Sequence, residues 1–386
     1  MKHKAILAPM IVALMLIGCG GAAPPADKPA PAPEAAPLAA ETPVIADQPI
    51  AARREAAIAR AVEYLLKVQA PDGTWCDGNI GITALSTNAL LVGGKTVKDP
   101  PVARAIERML KFQKPDGGIY DETGLNNYTT SIALMVLVKA DPKAYAGAIE
   151  KAKTYLIQHQ WDETESIDKA NPWYGGAGYG RHERPDMSNE GFFLEAMHQA
   201  GVPKDDPLWA KAVLFVSRSQ DRSESNDAAF VGTDSGGMIY SPNKGGESKA
   251  GTVDLPNGKK GLKAYASMTY AGFKSFVYAG LARDDPRVLA ALDWIRKHWS
   301  FEENPELGQQ GLYYYYMTAG QALKAWGEDV IRDAARREHR WKEELTDALL
   351  RRQKEDGSWA NPADRWFEGQ PPIPTSYAII ALAACR

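Results

Sequence analysis

The chain has 386 residues, a formal net charge of −3 and no basic stripe, so charge argues against a nucleic-acid partner. Its three cysteines are too few for a disulfide framework.

The chain opens on a targeting pattern. Lys2 and Lys4 supply a positive start, and residues 5–17 form an apolar core too short to cross a bilayer comfortably. Leu16-Ile17-Gly18-Cys19 follows. This resembles the lipobox of bacterial lipoproteins. The resemblance implies a signal peptide over residues 1–19, lipidation of Cys19, and a membrane-anchored protein of the bacterial cell envelope, periplasmic or on the outer surface. Residues 20–50 are rich in Ala and Pro with almost no large apolar side chain, which predicts a disordered linker. Extended at roughly 3.1 Å per residue, such a tether reaches about 100 Å.

Residues 51–386 read as one all-α domain of six helix pairs. The predicted outer helices are 53–69, 102–113, 145–160, 208–220, 287–299 and 335–353. Most are amphipathic: Ala57, Ala61, Tyr64, Leu65 and Val68 recur at helical spacing in the first. The predicted inner helices are 82–92, 128–139, 188–201, 264–281, 310–327 and 375–384. These are nearly all small or apolar, the pattern of helices buried on every side. Several begin with Ser or Thr (Thr83, Thr129, Thr130, Ser131, Ser188, Ser267, Thr375, Ser376), residues suited to N-caps and first turns. Up-down alternation would bring every inner N-terminus to one end of the molecule. Partial positive charge and unpaired N–H groups gather at such an end. It would also set Cys76 and Cys385 at opposite ends, beyond disulfide reach.

One local unit organises this domain. Gln353-Lys354-Glu355-Asp356-Gly357-Ser358-Trp359 has copies at Gln69 to Trp75 and Gln113 to Tyr120, and a degenerate copy begins at Gln220. Asp-Gly favours a tight turn, and the Gln amide carries a donor and an acceptor to tie that turn to a neighbouring helix. The aromatic residue can cover the junction. Recurrence at a roughly fixed interval is the mark of a repeat architecture. The Gln-x-x-Asp-Gly-Ser/Thr-Trp unit resembles the repeat of squalene cyclases and protein prenyltransferase β subunits. That resemblance implies a single α/α toroid, with inner helices ringed by outer ones around an apolar cavity.

Three insertions break the repeat, at residues 161–187, 221–262 and 361–374. All belong to the inner N-terminal end, and loops clustered on one face are where function usually sits. The first holds Tyr174, Tyr179, Arg181 and His182 in a Gly-rich run, the second Asp234 and Tyr240, and the third Trp366.

The chemistry the resemblance would supply is altered. Protonation-initiated cyclases open an inner helix with Asp-x-Asp-Asp; here the matching stretch is Asp186-Met187-Ser188-Asn189. Asp186 remains, but Ser188 stands where the proton-donating acid would be, and a hydroxyl cannot serve as that acid. The same four residues also read as a helix N-cap. The prenyltransferase zinc site pairs an Asp-x-Cys with a His; neither Cys76 nor Cys385 has that context, and no metal or cofactor is expected. What remains is aromatic: Tyr270 and the run Tyr313-Tyr314-Tyr315-Tyr316 on inner helices, with at least one ring of the run expected to face inward.

Three functions stay open. The leading one is an envelope protein that binds an apolar or polyprenyl-like ligand in the aromatic cavity. The second is an enzyme acting on a terpenoid or glycan, with Asp186, Asp234 or His182 as acid. The third is a protein-interaction ring. A perturbed acid in a deep cavity would favour the second; an interior filled by its own side chains would favour the third.

Overall fold

The computed structural model describes residues 48–180, 183–228 and 230–386. Cys19, the signal peptide, nearly all of the linker, Arg181 and His182 lie outside the described residues. Among the described residues, twelve α-helices alternate between two layers. The outer helices are α1 (Ile50–Lys67), α3 (Pro100–Leu110), α5 (Ala146–Ile157), α7 (Pro207–Ser219), α9 (Pro286–Lys297) and α11 (Trp341–Leu350). The inner helices are α2 (Ile80–Val92), α4 (Asn126–Ala140), α6 (Met187–Gln199), α8 (Ala266–Tyr278), α10 (Leu312–Trp326) and α12 (Pro372–Ala384). The described residues also hold two short hairpins, β1 (Thr252–Asp254) with β2 (Lys260–Leu262), and β3 (Val330–Arg332) with β4 (Glu338–Arg340).

The inner helices close a ring. α2 packs on α4, α4 on α6, α6 on α8, α8 on α10, α10 on α12, and α12 returns to α2. This is the α/α toroid that the repeat implied. Outer helices bury one stripe each: α3 buries Val102, Ala105, Ile106 and Met109, at the three-to-four-residue spacing of one helix face. Inner helices are buried almost all round, and α2 from Ile80 to Leu90 is small or apolar at nearly every position for that reason.

The repeated Gln does the same work five times. Its Nε2 donates to the carbonyl of its own turn glycine and to a carbonyl of the next outer helix, in the first turn of that helix for all but Gln353. Gln69 binds Gly73 O (3.0 Å) and Pro101 O (2.9 Å). Gln113 binds Gly117 O and Ala148 O. Gln160 binds Gly175 O (2.9 Å) and Leu208 O (3.0 Å), and Gln220 binds Gly236 O and Arg287 O, both 2.9 Å. Gln353 binds Gly357 O (3.0 Å) and Ala57 O (2.9 Å), so the last outer helix is tied to the first and the ring is sealed. Trp75 and Trp359 are buried over their junctions and donate Nε1 to Leu65 O and Leu349 O, each at 2.9 Å. The α9–α11 seam uses other groups: Trp299 Nε1 donates to Glu344 Oε2 (2.9 Å), and His339 Nδ1 contacts the same carboxylate.

Two expectations are corrected. The helix predicted over 335–353 starts only at Trp341. Residues 338–340 are the β4 strand instead, because Asp333 accepts from Arg337 N (2.8 Å) and folds the chain back on β3. The first-turn hydroxyls do not, as a rule, cap their own helices. Thr83, Thr130, Thr269 and Thr375 instead accept the backbone N–H of the preceding turn, from Trp75 (3.3 Å), Ile119, Met238 and Trp359 (each 3.0 Å). On α6 the corresponding place is held by Glu190, whose Oε2 accepts from Ala177 N at 2.8 Å.

Candidate functional site

The start of α6 is built around Asp186. Its extended backbone (φ −149°, ψ 160°) makes it the N-cap. Its carboxylate accepts from Ser188 N (3.0 Å), Ser188 Oγ (2.6 Å), Asn189 N (3.1 Å) and Asn189 Nδ2 (2.9 Å). The side chain is fully buried, and that burial pushes its carboxyl up against the opposing pull of these bonds. Ser188 and Asn189, where the cyclase pattern would carry acids, are thus the partners that hold Asp186.

Phenols converge on this helix start. Tyr179 and Tyr240 share a hydroxyl contact of 3.3 Å, and both also interact with Ser188. Burial and the nearby Asp186 charge push the Tyr179 phenol up to about 12. Arg184 and Lys249 stand over the Tyr240 ring at 5.3 and 4.5 Å, and both cations are paired with Glu247. Deeper in, Tyr128 OH and Tyr377 OH meet at 2.9 Å. Tyr128 packs edge-on against Phe192 (4.5 Å), and Tyr314 lies beside Phe192 (6.1 Å) and Tyr377 (5.9 Å). Burial raises both the Tyr314 and Tyr265 phenols; Tyr128 and Asp186 add to it at Tyr314, and Tyr314 and Asp186 add to it at Tyr265.

The other predicted residues scatter. Helical rotation of about 100° per residue turns one ring of Tyr313–Tyr316 inward, and that ring is Tyr314. Tyr315 and Tyr316 donate outward to Ser300 O and Phe301 O, both 2.6 Å, with Tyr270 edge-on to Tyr315 and Tyr313 edge-on to Tyr316. Tyr174 donates to Glu163 (2.9 Å) on the first insertion. Asp234 is exposed, sits at φ 60°, and accepts from Ser223 N (2.8 Å) in a turn stitched around Asp221. Trp366 is 38% exposed, lies against Gly311 and carries Arg365 over its ring at 4.7 Å.

Sequence reasoning missed four contributors. Tyr128 and Tyr377 carried no local signal. Glu190 had one: it takes the place of the repeated first-turn Thr. It is fully buried, and burial raises its carboxyl well above the ordinary range. Glu368, from the third insertion, accepts from Tyr314 N (2.8 Å) and Asn361 Nδ2 (2.7 Å), and burial raises it to about 7.

The interior is closed where α6, α8 and α10 meet. Gly191, Phe192, Ala271, Lys274, Tyr314, Met317 and Thr318 surround a gap there with no volume open to a water molecule. Lys274 Nζ, which lines it, pairs with the buried Glu195 Oε2 (2.6 Å), and Gln321 bonds both partners, at 2.9 and 2.6 Å. Open space lies elsewhere on the inner N-terminal face, in a cleft of about 510 Å³ between the start of α4 and the end of α5. Among the described residues, no group of three or more His, Cys, Asp or Glu side chains is arranged to hold a metal.

No protein-family profile matches the chain, and no curated protein matches it. Solved structures do share its fold. The apo type II terpene cyclase MstE from Scytonema aligns with 86% of this chain and 97% of its own, at TM-score 0.53 and 13% identity. A family 76 glycoside hydrolase from a bovine Bacteroides thetaiotaomicron strain covers 88% and 78%, at TM-score 0.55 and 9% identity. A D-mannose isomerase covers 86% and 96%, at TM-score 0.53 and 11% identity. At such identities the likeness is one of fold.

Proposed function

We propose that this α/α toroid is a ligand-binding protein of the bacterial envelope, tethered through Cys19, and that its ligand is hydroxyl-rich, of glycan type, held on the face where the inner helices begin. The closed interior between α6, α8 and α10 carries this reading. A polyprenyl chain needs an apolar channel, and here a buried ion pair stands beside a gap with no room for a water. Hydroxyls, amides and aromatic faces gather instead at the inner N-terminal face, the chemistry that suits a polar ligand. Two of the similar folds are named for sugar chemistry and one for terpene cyclisation, so fold likeness alone does not choose. Asp186 fits a positioning role better than proton donation, since four donors already occupy its oxygens.

The test is native mass spectrometry on protein recovered from its own envelope, followed by titration with envelope glycans and with polyprenols. A bound or titratable glycan is the expected result. A co-purifying polyprenoid would overturn the reading. The same closed interior also favours a second reading, a protein-interaction ring. A mass free of small ligands, no response to either titration, and an in-envelope cross-link to one defined protein would select it.

A further inference from the structure

The three insertions each bring a cation to one rim of the inner N-terminal face. Arg184 comes from the first, just ahead of Asp186, Lys249 from the second and Arg365 from the third. Arg184 and Lys249 both stand over the Tyr240 ring, and Tyr240 O accepts from Met187 N at the start of α6. Arg365 Nη1 reaches Lys249 O (3.4 Å) and joins the third insertion to the second. We propose that this cationic rim is a binding site for an acidic oligosaccharide, one whose sugar rings carry carboxylates. The proposal rests on the hydroxyl-rich-ligand reading above and names the charge of that ligand.

Charge is the first support. Among the described residues, one carboxylate is paired with these three cations: Glu247 takes Arg184 Nη2 at 2.9 Å and Lys249 Nζ. Arg365 meets neutral acceptors, Gln310 Oε1 at 2.8 Å and the Lys249 carbonyl. Asp186 lies close enough to feel Arg184, but it is buried and four donors of its own helix fill its oxygens. Positive charge therefore exceeds negative charge at the rim, which attracts an incoming anion.

Fit is the second. The Glu247 side chain already bridges Arg184 and Lys249, so a carboxylate is the anion this pair accommodates, and a guanidinium matches its two oxygens. Pre-positioning is the third. Arg365 is stacked over Trp366 at 4.7 Å, and Trp366 is itself seated on Gly311 at the start of α10. Trp366 is 38% exposed and leaves apolar surface beside the cations for a sugar ring. The Gln310 amide, whose oxygen is taken by Arg365, keeps its N–H groups for sugar hydroxyls.

The test is calorimetric titration of the full chain with trigalacturonate, trimannuronate and a hyaluronan tetrasaccharide, against maltotriose and the methyl ester of trigalacturonate. At least one acidic oligosaccharide is expected to bind at least about tenfold more tightly than the neutral ones. Lys249→Ala combined with Arg365→Ala is expected to weaken that binding about tenfold or more, with circular dichroism unchanged. Glu247→Gln removes the carboxylate that competes for the same cations and is expected to tighten it about threefold or more. Unchanged or weaker binding in Glu247→Gln, or acidic binding that survives the double substitution, would overturn the site. Neutral oligosaccharides bound as tightly as the acidic ones would overturn the ligand charge and leave the hydroxyl-rich-ligand reading standing. No binding of any of these probes by the unmodified chain would overturn both.

Discussion

The two ends of the ring differ in how helix ends are satisfied and in what joins them. At the inner N-terminal end, backbone N–H groups meet acids and amides. Ile80 N donates to Asp121 (2.9 Å), α6 to Asp186, Ser267 N to Asn304 (3.1 Å) and Tyr314 N to Glu368. At the other end, cations reach the last carbonyls: Arg54 to Cys385 O (2.6 Å), Arg386 to Val92 O (2.7 Å), Arg283 to Trp326 O and Lys204 to Tyr278 O. Both arrangements answer the helix dipole, with opposite charge. The joints differ more. At the inner N-terminal end each Gln-bearing turn presses on the next outer helix: a Cβ on Gly175 (φ 84°) would stand 1.9 Å from Lys211 O. At the opposite end Gly201 also has positive φ (71°), yet nothing lies within 4 Å of its Cβ position. Glycine turns seat tightly on the next outer helix at the first end; at the other, cations join neighbouring units and the Gly201 turn is loose. The loops that carry the candidate sites sit on the first end.

The largest test of this contrast lies between the ends. Lys274→Met leaves Glu195 buried without its cation and is expected to cost about 3–5 kcal/mol in urea unfolding. Adding Glu195→Leu to the same chain is expected to recover most of that loss. No recovery would mean that the ion pair is not what fills the interior between α6, α8 and α10.

Next come the glycines. Gly175→Ala is expected to destabilise by about 3 kcal/mol or more, because backbone must move, whereas Gly201→Ala should cost only about 1 kcal/mol of left-handed strain. Equal losses in thermal unfolding would erase the distinction between tightly seated and loose glycine turns.

A pH series sharpens the acid end. Glu368 titrates at about 7 in the fold against an ordinary 4.5, so the folded state holds a proton that the unfolded state has released. Its contribution is fully present below about pH 4.5 and is lost as pH rises through about 7, on the order of 3 kcal/mol. Glu368→Gln keeps an acceptor for Tyr314 N and should flatten the stability profile over that window relative to the parent. An unchanged slope would assign the pH dependence to Glu190 and Asp186, which are raised in the same direction.

Much of the fold was readable because its signals are local. Gln, the Asp-Gly turn and the aromatic stand within seven residues at Gln69 and Gln353, and the helix periodicities flank them. The same device is hidden at Gln160 and shows only as a degenerate copy at Gln220, since insertions carry the partner glycine carbonyls 15 and 16 residues away. The β4 strand reads as helix in the sequence because Asp333 folds back a charged stretch that has no strand pattern of its own.

Sequence by itself determined the toroid, through short repeated units that each carry their own turn, tie and cover. It determined too that Ser188 stands where a cyclase acid would be. Tertiary structure alone decided which residues meet. Tyr128 and Tyr377 touch across 249 positions, and Lys274 finds Glu195 on another inner helix. Whether the interior between α6, α8 and α10 is open was decided there as well, because side chains from several helices compete for one volume, and only ring closure sets how much of it they fill.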